Sequence, residues 1–339
     1  MKVCSSCFSD IELRSFISTR NEIGNCEICS ATSQHLIDIK ELCEFFEELI
    51  GNFQLVENGT PLYSKIQSDW SFFSSNEVAN KILKHVIPQI HRTEITSSDD
   101  QVEYSDDILT NFGHWETLKD ELKWKNRFVI DLKYLENLGW DSFFNIQFDL
   151  KKNMKFFRAR IHHTSGTKKY KCKEMGCPPR DITIGGRANP LGIPYLYLSE
   201  DKNTTLYEVK ASYLDELSVG TFQLQKDNPP VKIVDFTENT SLYQSDDIKK
   251  TIQGKLLRDR ISKDLSKPMR RYDSELEYIP TQFICEYIKN FTGAKGIRFR
   301  SALHEQGNNI VFFEPKLMEC KAVRKVKITS INLDSMEID

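Results

Sequence analysis

Cys4 and Cys7 form one Cys-x-x-Cys pair, Cys26 and Cys29 form a second, and 18 residues separate the two. Each such turn presents two sulfurs to one side, so the pairs together offer four thiolates to one tetrahedral ion. The competing use of cysteine, disulfide bonding, belongs to exported chains. The start Met1-Lys2-Val3-Cys4 carries no apolar leader, which points to the cytoplasm and to reduced thiols. The expected metal is zinc, and it is structural, because four protein ligands leave no open position for a substrate water. A segment this short buries too little to fold unaided, and metal binding contributes on the order of 10–16 kcal/mol of apparent folding free energy in comparable modules. Cys172 and Cys177 have four residues between them and no partner pair, and read as ordinary thiols.

Several partner classes are disfavoured at once. The formal charge of −3 gives no general attraction to nucleic acid. The cysteine segment mixes Arg14 and Arg20 with Asp10, Glu12, Glu22 and Glu27, so it is not a basic patch and nucleic acid is not an expected partner. No apolar run approaches the ~20 residues that span a bilayer, and no membrane association is expected. The basic stretches Lys168–Lys173, Lys267–Arg271 and Lys321–Lys327 read as solvated faces.

A chain of 339 residues exceeds what one core organises, and its patterning changes along the way. Ile39, Leu42, Phe45, Phe46 and Leu49 recur at helical spacing, and further helices are expected over Glu77–His91, Trp115–Arg127 and Leu132–Leu138. The polar, acidic stretch Thr93–Asp107 reads as a connector. Beyond about 150, strand-like runs (Met154–Ile161, Tyr195–Leu198, Gly220–Leu224, Lys232–Asp235, Gly296–Phe299, Asn309–Phe313) alternate with helical ones (Thr205–Leu214, Ser245–Ser262, Pro280–Asn290). The expected fold class is α+β. The expected division is a zinc-binding module over 1–30, a helical N-terminal domain over 31–145, a catalytic domain over 146–325 and a tail over 326–339.

The densest run of chemistry is Gly185-Gly186-Arg187-Ala188-Asn189-Pro190, followed by Tyr195-Leu196-Tyr197-Leu198. The glycine pair permits a tight turn and close approach to a ligand. It is not a Gly-x-Gly-x-x-Gly fingerprint, so hydride transfer on a Rossmann fold is not indicated. On the strand that follows, Tyr195, Tyr197 and Ser199 share one face. The next helix, starting at Thr204 or Thr205, carries Glu208 in its first turn, which directs arginine, tyrosine and carboxylate toward one end of a sheet. Arg158 and Arg160 share one face of an earlier strand, an arrangement costly unless they meet anions or water. Ser301 closes the run Gly296-Ile297-Arg298-Phe299-Arg300. Each residue has a plainer reading. Thr205 to Glu208 is also a capping box; Arg187 is also a loop arginine, Tyr197 a half-buried strand tyrosine, and Ser301 a serine that satisfies backbone groups. Arg158 and His163 match the Arg-x4-His spacing of HEPN ribonucleases, but they sit in a strand-like segment where that helical motif does not belong.

Taken in order, Arg158, Gly185–Pro190, Tyr195–Leu198, Glu208, Gln282 in Ile279-Pro280-Thr281-Gln282, Gly296-Ile297, Ser301-Ala302 and Asn309–Phe313 resemble the RES domain over about residues 150–320. The family takes its name from Arg, Glu and Ser. The resemblance implies an ADP-ribosyltransferase-like mixed sheet and NAD as substrate. It also implies NAD phosphorylase or glycohydrolase activity in a toxin whose partner is an Xre-type antitoxin. The zinc module and helical stretch resemble the HEPN-related N-terminal region of longer RES proteins, with sensing, inhibition and homo-oligomer formation open as its role.

On this basis Glu208, Arg158 and Ser301 are the expected catalytic residues, and Arg187, Tyr197, Gly186 and Asn189 the expected NAD-binding positions. Nicotinamide departs neutral, so no general acid is required; a carboxylate is needed against positive charge on the ribose. Arginine forks suit the pyrophosphate and an inorganic phosphate acceptor. Tyr197 is assigned to packing on nicotinamide or ribose, and Ser301 to the nicotinamide amide or the ribose. The chain departs from the toxin pattern at Ala159 and Ala188, where an aromatic residue and a tryptophan follow the two arginines. Two other readings stay open: ADP-ribosyl transfer to a macromolecule, and a zinc-ribbon binding module with an inactive RES domain.

Overall fold

A computed structural model of the chain describes residues 1–91, 93–144, 147–225, 231–238, 240–243, 245–268 and 275–331. The expected tail lies outside them from 332 onward, as do residues 269–271 of the second basic stretch. The chain forms two compact units, Met1–His114 with Asn239–Leu256, and Trp115–Glu238 with Leu257–Asp339. No helix among the described residues is long and apolar enough to cross a membrane.

The first unit opens with strand β1 (Lys2–Cys4), helix α1 (Ile11–Ser18), β2 (Ile23–Gly24) and β3 (Gln34–Asp38). The strands form a small antiparallel sheet in the order β1-β3-β2. Asp10 starts α1 by accepting the Leu13 N–H at 3.0 Å, filling one of the donors that a helix start leaves open. Helices α2 (Cys43–Ile50), α3 (Leu62–Trp70) and α4 (Asn76–Val86) follow. Phe8 packs on Phe72 and Phe73, which in turn meet Phe46. The cysteine segment therefore shares one apolar core with these helices. Strands also run through the stretch expected to be helical. β4 (Phe53–Pro61) pairs with β5 (Gln101–Tyr104), so the acidic stretch Thr93–Asp107 is more than a connector. Val102 and Tyr104, both buried, hold it against the core while Gln101 faces solvent, a period of two that the surrounding acids obscure in the sequence. Helix α5 (Asp106–Trp124) begins directly after it.

The second unit is built on an eight-stranded mixed sheet, which establishes the α+β class. Its strands are β6 (Gln147–Leu150), β7 (Phe156–Ile161), β8 (Leu196–Ser199), β9 (Glu216–Leu224), β10 (Val231–Asp235), β11 (Gly296–Arg300), β12 (Asn308–Phe312) and β13 (Met318–Lys327). Their order is β13-β9-β7-β8-β12-β11-β10-β6, with β10 and β11 parallel and the other neighbours antiparallel. Helices α6 (Leu132–Asn137), α7 (Trp140–Phe143), α8 (Lys202–Glu208), α9 (Ile248–Ser266) and α10 (Ile279–Phe291) complete the named elements. One sheet face buries Phe156, Leu196, Leu198, Ile310 and Phe312. On the other, Ala159, with Phe157 and Ile161 beside it, meets Leu206 and Val209 at the end of α8. The basic stretch Lys321–Lys327 is the edge strand β13, where exposed lysines discourage a further strand from pairing.

Candidate active site

Among the described residues β7 and β8 pair at one position, Phe157 with Ser199. Beyond it β7 continues along β9 as far as Ile161, and β8 continues along β12 as far as Leu196. The two strands therefore part. A cavity of about 270 Å³ lies between them, lined by Arg158 and Ala159 from β7 and by Tyr197, Leu198 and Ser199 from β8. Arg187, Glu208, Phe299 and Asn309 complete much of its wall.

Glu208 is the last residue of α8 and is exposed. The expectation that it sits in the first helical turn is corrected here. The helix begins earlier, at Lys202, because Asp201 caps it by accepting the Thr204 N–H at 2.9 Å. The Thr205 N–H is taken by the Asp201 carbonyl, so Glu208 makes no capping box. Its Oε1 instead accepts two side-chain donors, Ser301 Oγ at 2.6 Å and Asn309 Nδ2 at 2.7 Å. Ser301 is buried, and its Oγ also accepts the backbone N–H groups of Leu303 and His304. With both of those bonds accepted, its single proton points to Glu208. Asn309, also buried, is held by Ser199, which donates to Asn309 Oδ1 at 2.8 Å. No hydrogen bond reaches Glu208 Oε2 among the described residues, which leaves that oxygen open to a ligand.

Arg158 is the electrostatic counterpart. Its Nη1 is buried without a hydrogen-bond partner among the described residues. Burial disfavours the Arg158 cation and the like charge of Arg160 adds to this, against an opposing contribution from Cys177. Arginine stays protonated in proteins, so this is a half-buried cation with one buried nitrogen short of an acceptor, a costly state that a negatively charged ligand relieves. Arg160 turns its Nη2 to the Gly176 carbonyl at 2.5 Å.

The Gly185–Pro190 loop is tied around one hydroxyl. Tyr197 donates to Asn189 Oδ1 at 2.7 Å and accepts the Ala188 N–H at 2.9 Å. Burial raises the pKa of the phenol, which keeps its proton for that bond. A Cβ at Gly186 would lie 2.8 Å from Asn189 Oδ1 and 2.9 Å from Tyr197 Oη, so this position has no room for a side chain. Gln282 of α10 donates to the Gly186 carbonyl at 2.8 Å. Asn189 gives Nδ2 to the carbonyls of Ile184 and Pro190, so its polar atoms shape the loop. Arg187 donates Nη1 to the Leu265 carbonyl at 2.9 Å and contributes to the cavity wall.

The cysteines of the first unit also come together. Cys4 Sγ lies 3.5 Å from Cys29 Sγ, Cys7 Sγ lies 3.5 Å from Cys26 Sγ, and all four sulfurs fall within 4.8 Å of one another. A Zn–S bond of about 2.3 Å requires tetrahedral edges of about 3.8 Å, so the cluster fits a metal ion and suits structural zinc. Burial pushes the Cys4 thiol up to about 11 and raises Cys7 as well. At Cys26 burial is outweighed by backbone N–H groups of Cys29, Ile28 and Cys4, which bring the thiol down to about 7.

A family model described as the RES domain matches residues 159–334. The chain belongs to the RES domain family. The RES match begins one residue after Arg158 and takes in Arg187, Tyr197, Glu208 and Ser301. No curated protein and no solved structure is significantly similar to the chain. Arg158, just ahead of the matched range, lines one cavity with Arg187, Tyr197 and Glu208 from within it; Ser301 stands directly behind Glu208, and Gly186 and Asn189 stand behind Tyr197. In the sequence Asn309 stands only as the opening of the Asn309–Phe313 run that resembles the RES domain, with no role given to it in the site.

Proposed function

We propose that this RES protein cleaves NAD at the nicotinamide–ribose bond. The observation that carries the reading is the pairing, in one cavity, of an arginine whose buried Nη1 lacks a partner among the described residues with a carboxylate fixed by two donors. As the C1′–N bond breaks, its electrons stay on nicotinamide, which leaves neutral, and positive charge develops on the ribose. Glu208 opposes that charge, and its orientation is set in advance by Ser301 and Asn309. Arg158 and Arg187 hold the pyrophosphate. The cavity lies slightly below the ~300 Å³ at which pockets for whole small ligands begin, so it suits the nicotinamide–ribose half, with the remainder of the dinucleotide outside. In this reading the large sheet is of ADP-ribosyltransferase type and water or phosphate completes the ribose. Cys4, Cys7, Cys26 and Cys29 hold a structural zinc. The reading of NAD depletion as toxicity, with an Xre-type antitoxin as restraint, is supported by the resemblance to RES toxins and draws nothing from the cavity.

The test is product analysis by mass spectrometry or NMR. Full-length, zinc-loaded protein releases nicotinamide from NAD with or without phosphate, and Glu208→Gln does not. Labelled NAD marking a macromolecule would indicate transfer instead. Wild-type protein that releases no nicotinamide, with zinc bound and phosphate present, defeats the proposal.

A further inference from the structure

Arg187 lines a second cavity as well as the first. This one, of about 190 Å³, lies between the C-terminal half of α5, the end of α9 and the start of α10. The two cavities also adjoin along α9, where Leu265 lines the first and Asp264 the second. Arg187 is fixed at this junction from both ends. Its carbonyl accepts the Thr281 hydroxyl at 2.6 Å, and its Nη1 donates to the Leu265 carbonyl at 2.9 Å. Helix α5 precedes the matched residues 159–334, so this wall of the second cavity comes from outside the RES match.

Most charges of this cavity are paired with one another. Lys119 meets Glu116 at 2.8 Å and Asp264 at 3.0 Å. Lys123 meets Glu277 at 2.7 Å, and that contact holds the Glu277 carboxyl below the ordinary carboxylate range. Arg187 apart, the lining carries four carboxylates against three ammonium groups, so it disfavours a phosphate and suits an uncharged polar ligand. Two lining groups are uncommitted. Asp120 is exposed, and its carboxylate has no ion pair or hydrogen bond among the described residues. Tyr278 is half-buried, and among the described residues its ring meets no other aromatic and its hydroxyl has no hydrogen bond. A carboxylate only accepts, which matches the hydroxyl donors of a ribose. An unstacked aromatic ring offers a face to a purine.

We propose that the second cavity takes the adenosine half of NAD, an assignment that rests on the NAD-cleaving reading above. Arg187, common to both cavities, holds the pyrophosphate at the junction. Nicotinamide and its ribose then lie toward Glu208, and adenosine lies toward Asp120. Asp120 accepts from the adenosine ribose hydroxyls, and Tyr278 packs on the adenine. The first cavity alone is too small for the dinucleotide, whereas the two together fall within the ~300–1,000 Å³ of sites that enclose a whole small ligand. A 2′-phosphate would bring its charge beside Asp120, so the site selects NAD over NADP.

The test uses the full-length protein with two readouts: NAD turnover, and calorimetric binding of ADP, which carries the adenosine and both phosphates without the reacting half. The exposed, unpaired side chain of Asp120 can be replaced without disturbing the fold. Asp120→Ala should raise KM for NAD about tenfold at little cost to kcat, because the contact is the same in ground and transition states. ADP binding should weaken by a similar factor. Tyr278→Ala should act in the same way through the lost stacking. NADP should be the poorer substrate by about tenfold or more, and Asp120→Ala should narrow that gap. Unchanged KM and ADP binding in both variants, a loss confined to kcat, or NADP used as readily as NAD overturns the assignment. Protein that binds ADP through Asp120 and releases no nicotinamide defeats the underlying reading instead.

Discussion

Ser301 donates its only hydroxyl proton to Glu208 Oε1 across 2.6 Å while its oxygen accepts two backbone N–H groups. Ser301 therefore acts on Glu208, the carboxylate it orients. A substrate atom that needs a donor must find one elsewhere, so the expected contact of Ser301 with the nicotinamide amide or the ribose would have to be made without that proton.

Removing that donor should cost catalysis more than stability. A hydrogen bond to a charged group contributes about 1.5–3 kcal/mol, so Ser301→Ala should lower kcat/KM for nicotinamide release roughly ten- to a hundredfold. Asn309→Ala removes the other donor to the same oxygen and should fall in the same range. Unchanged kcat/KM in both variants would show that Glu208 does not depend on this fixation.

Arg158 should behave in the opposite sense for stability. Its half-buried guanidinium keeps Nη1 buried and without a partner among the described residues, which costs free energy in the unliganded protein, so Arg158→Met should raise Tm while abolishing turnover. The expected gain is on the order of 1–3 kcal/mol, with each kcal/mol worth roughly 2–4 °C. Calorimetry beside the nicotinamide assay separates the two effects, and a lowered Tm would contradict the account of Arg158 as an anion site.

At Gly186 the crowding predicts a packing effect. Gly186→Ala forces a methyl group against the Tyr197–Asn189 hydrogen bond and should destabilise the protein by about 1–3 kcal/mol, with loss of activity. Denaturant unfolding measures it. Tyr197→Phe, which frees the space around the hydroxyl, should recover part of that loss when combined with Gly186→Ala.

Metal analysis should find one zinc per chain, and Cys26→Ser or a strong chelator should remove it. Because Cys4, Cys7 and Cys26 lie in the same core as Phe8, Phe46 and Phe73, metal loss should act locally. Amide hydrogen exchange should accelerate across β1, β2 and β3 while α2 to α4 keep most of their protection. Protein that lacks zinc and retains protected β1 to β3 would contradict this.

The sequence by itself determined the features whose causes are local. Two Cys-x-x-Cys turns specify a four-sulfur cluster because each pair is set by its own few residues. Six strands of the large sheet were legible because apolar alternation and flanking glycine and proline act within a single element. The tight loop at Gly186-Arg187 could be read for the same reason. Charge hid others: the exposed lysines of β13 masked its buried Met318 and Val323, and acids masked Val102 and Tyr104 on β5. Tertiary structure alone decided how the site is wired. Asn309 meets Glu208 because β12 lies beside β8, and Arg158 faces the cavity because β7 parts from β8 after one pair. Helix α8 starts at its Asp201 cap, which moves Glu208 to the helix end, and Ser301 reaches it across 93 residues of chain. Strand register and the direction of a hydroxyl proton depend on groups far apart in the chain, and a one-dimensional pattern does not carry that information.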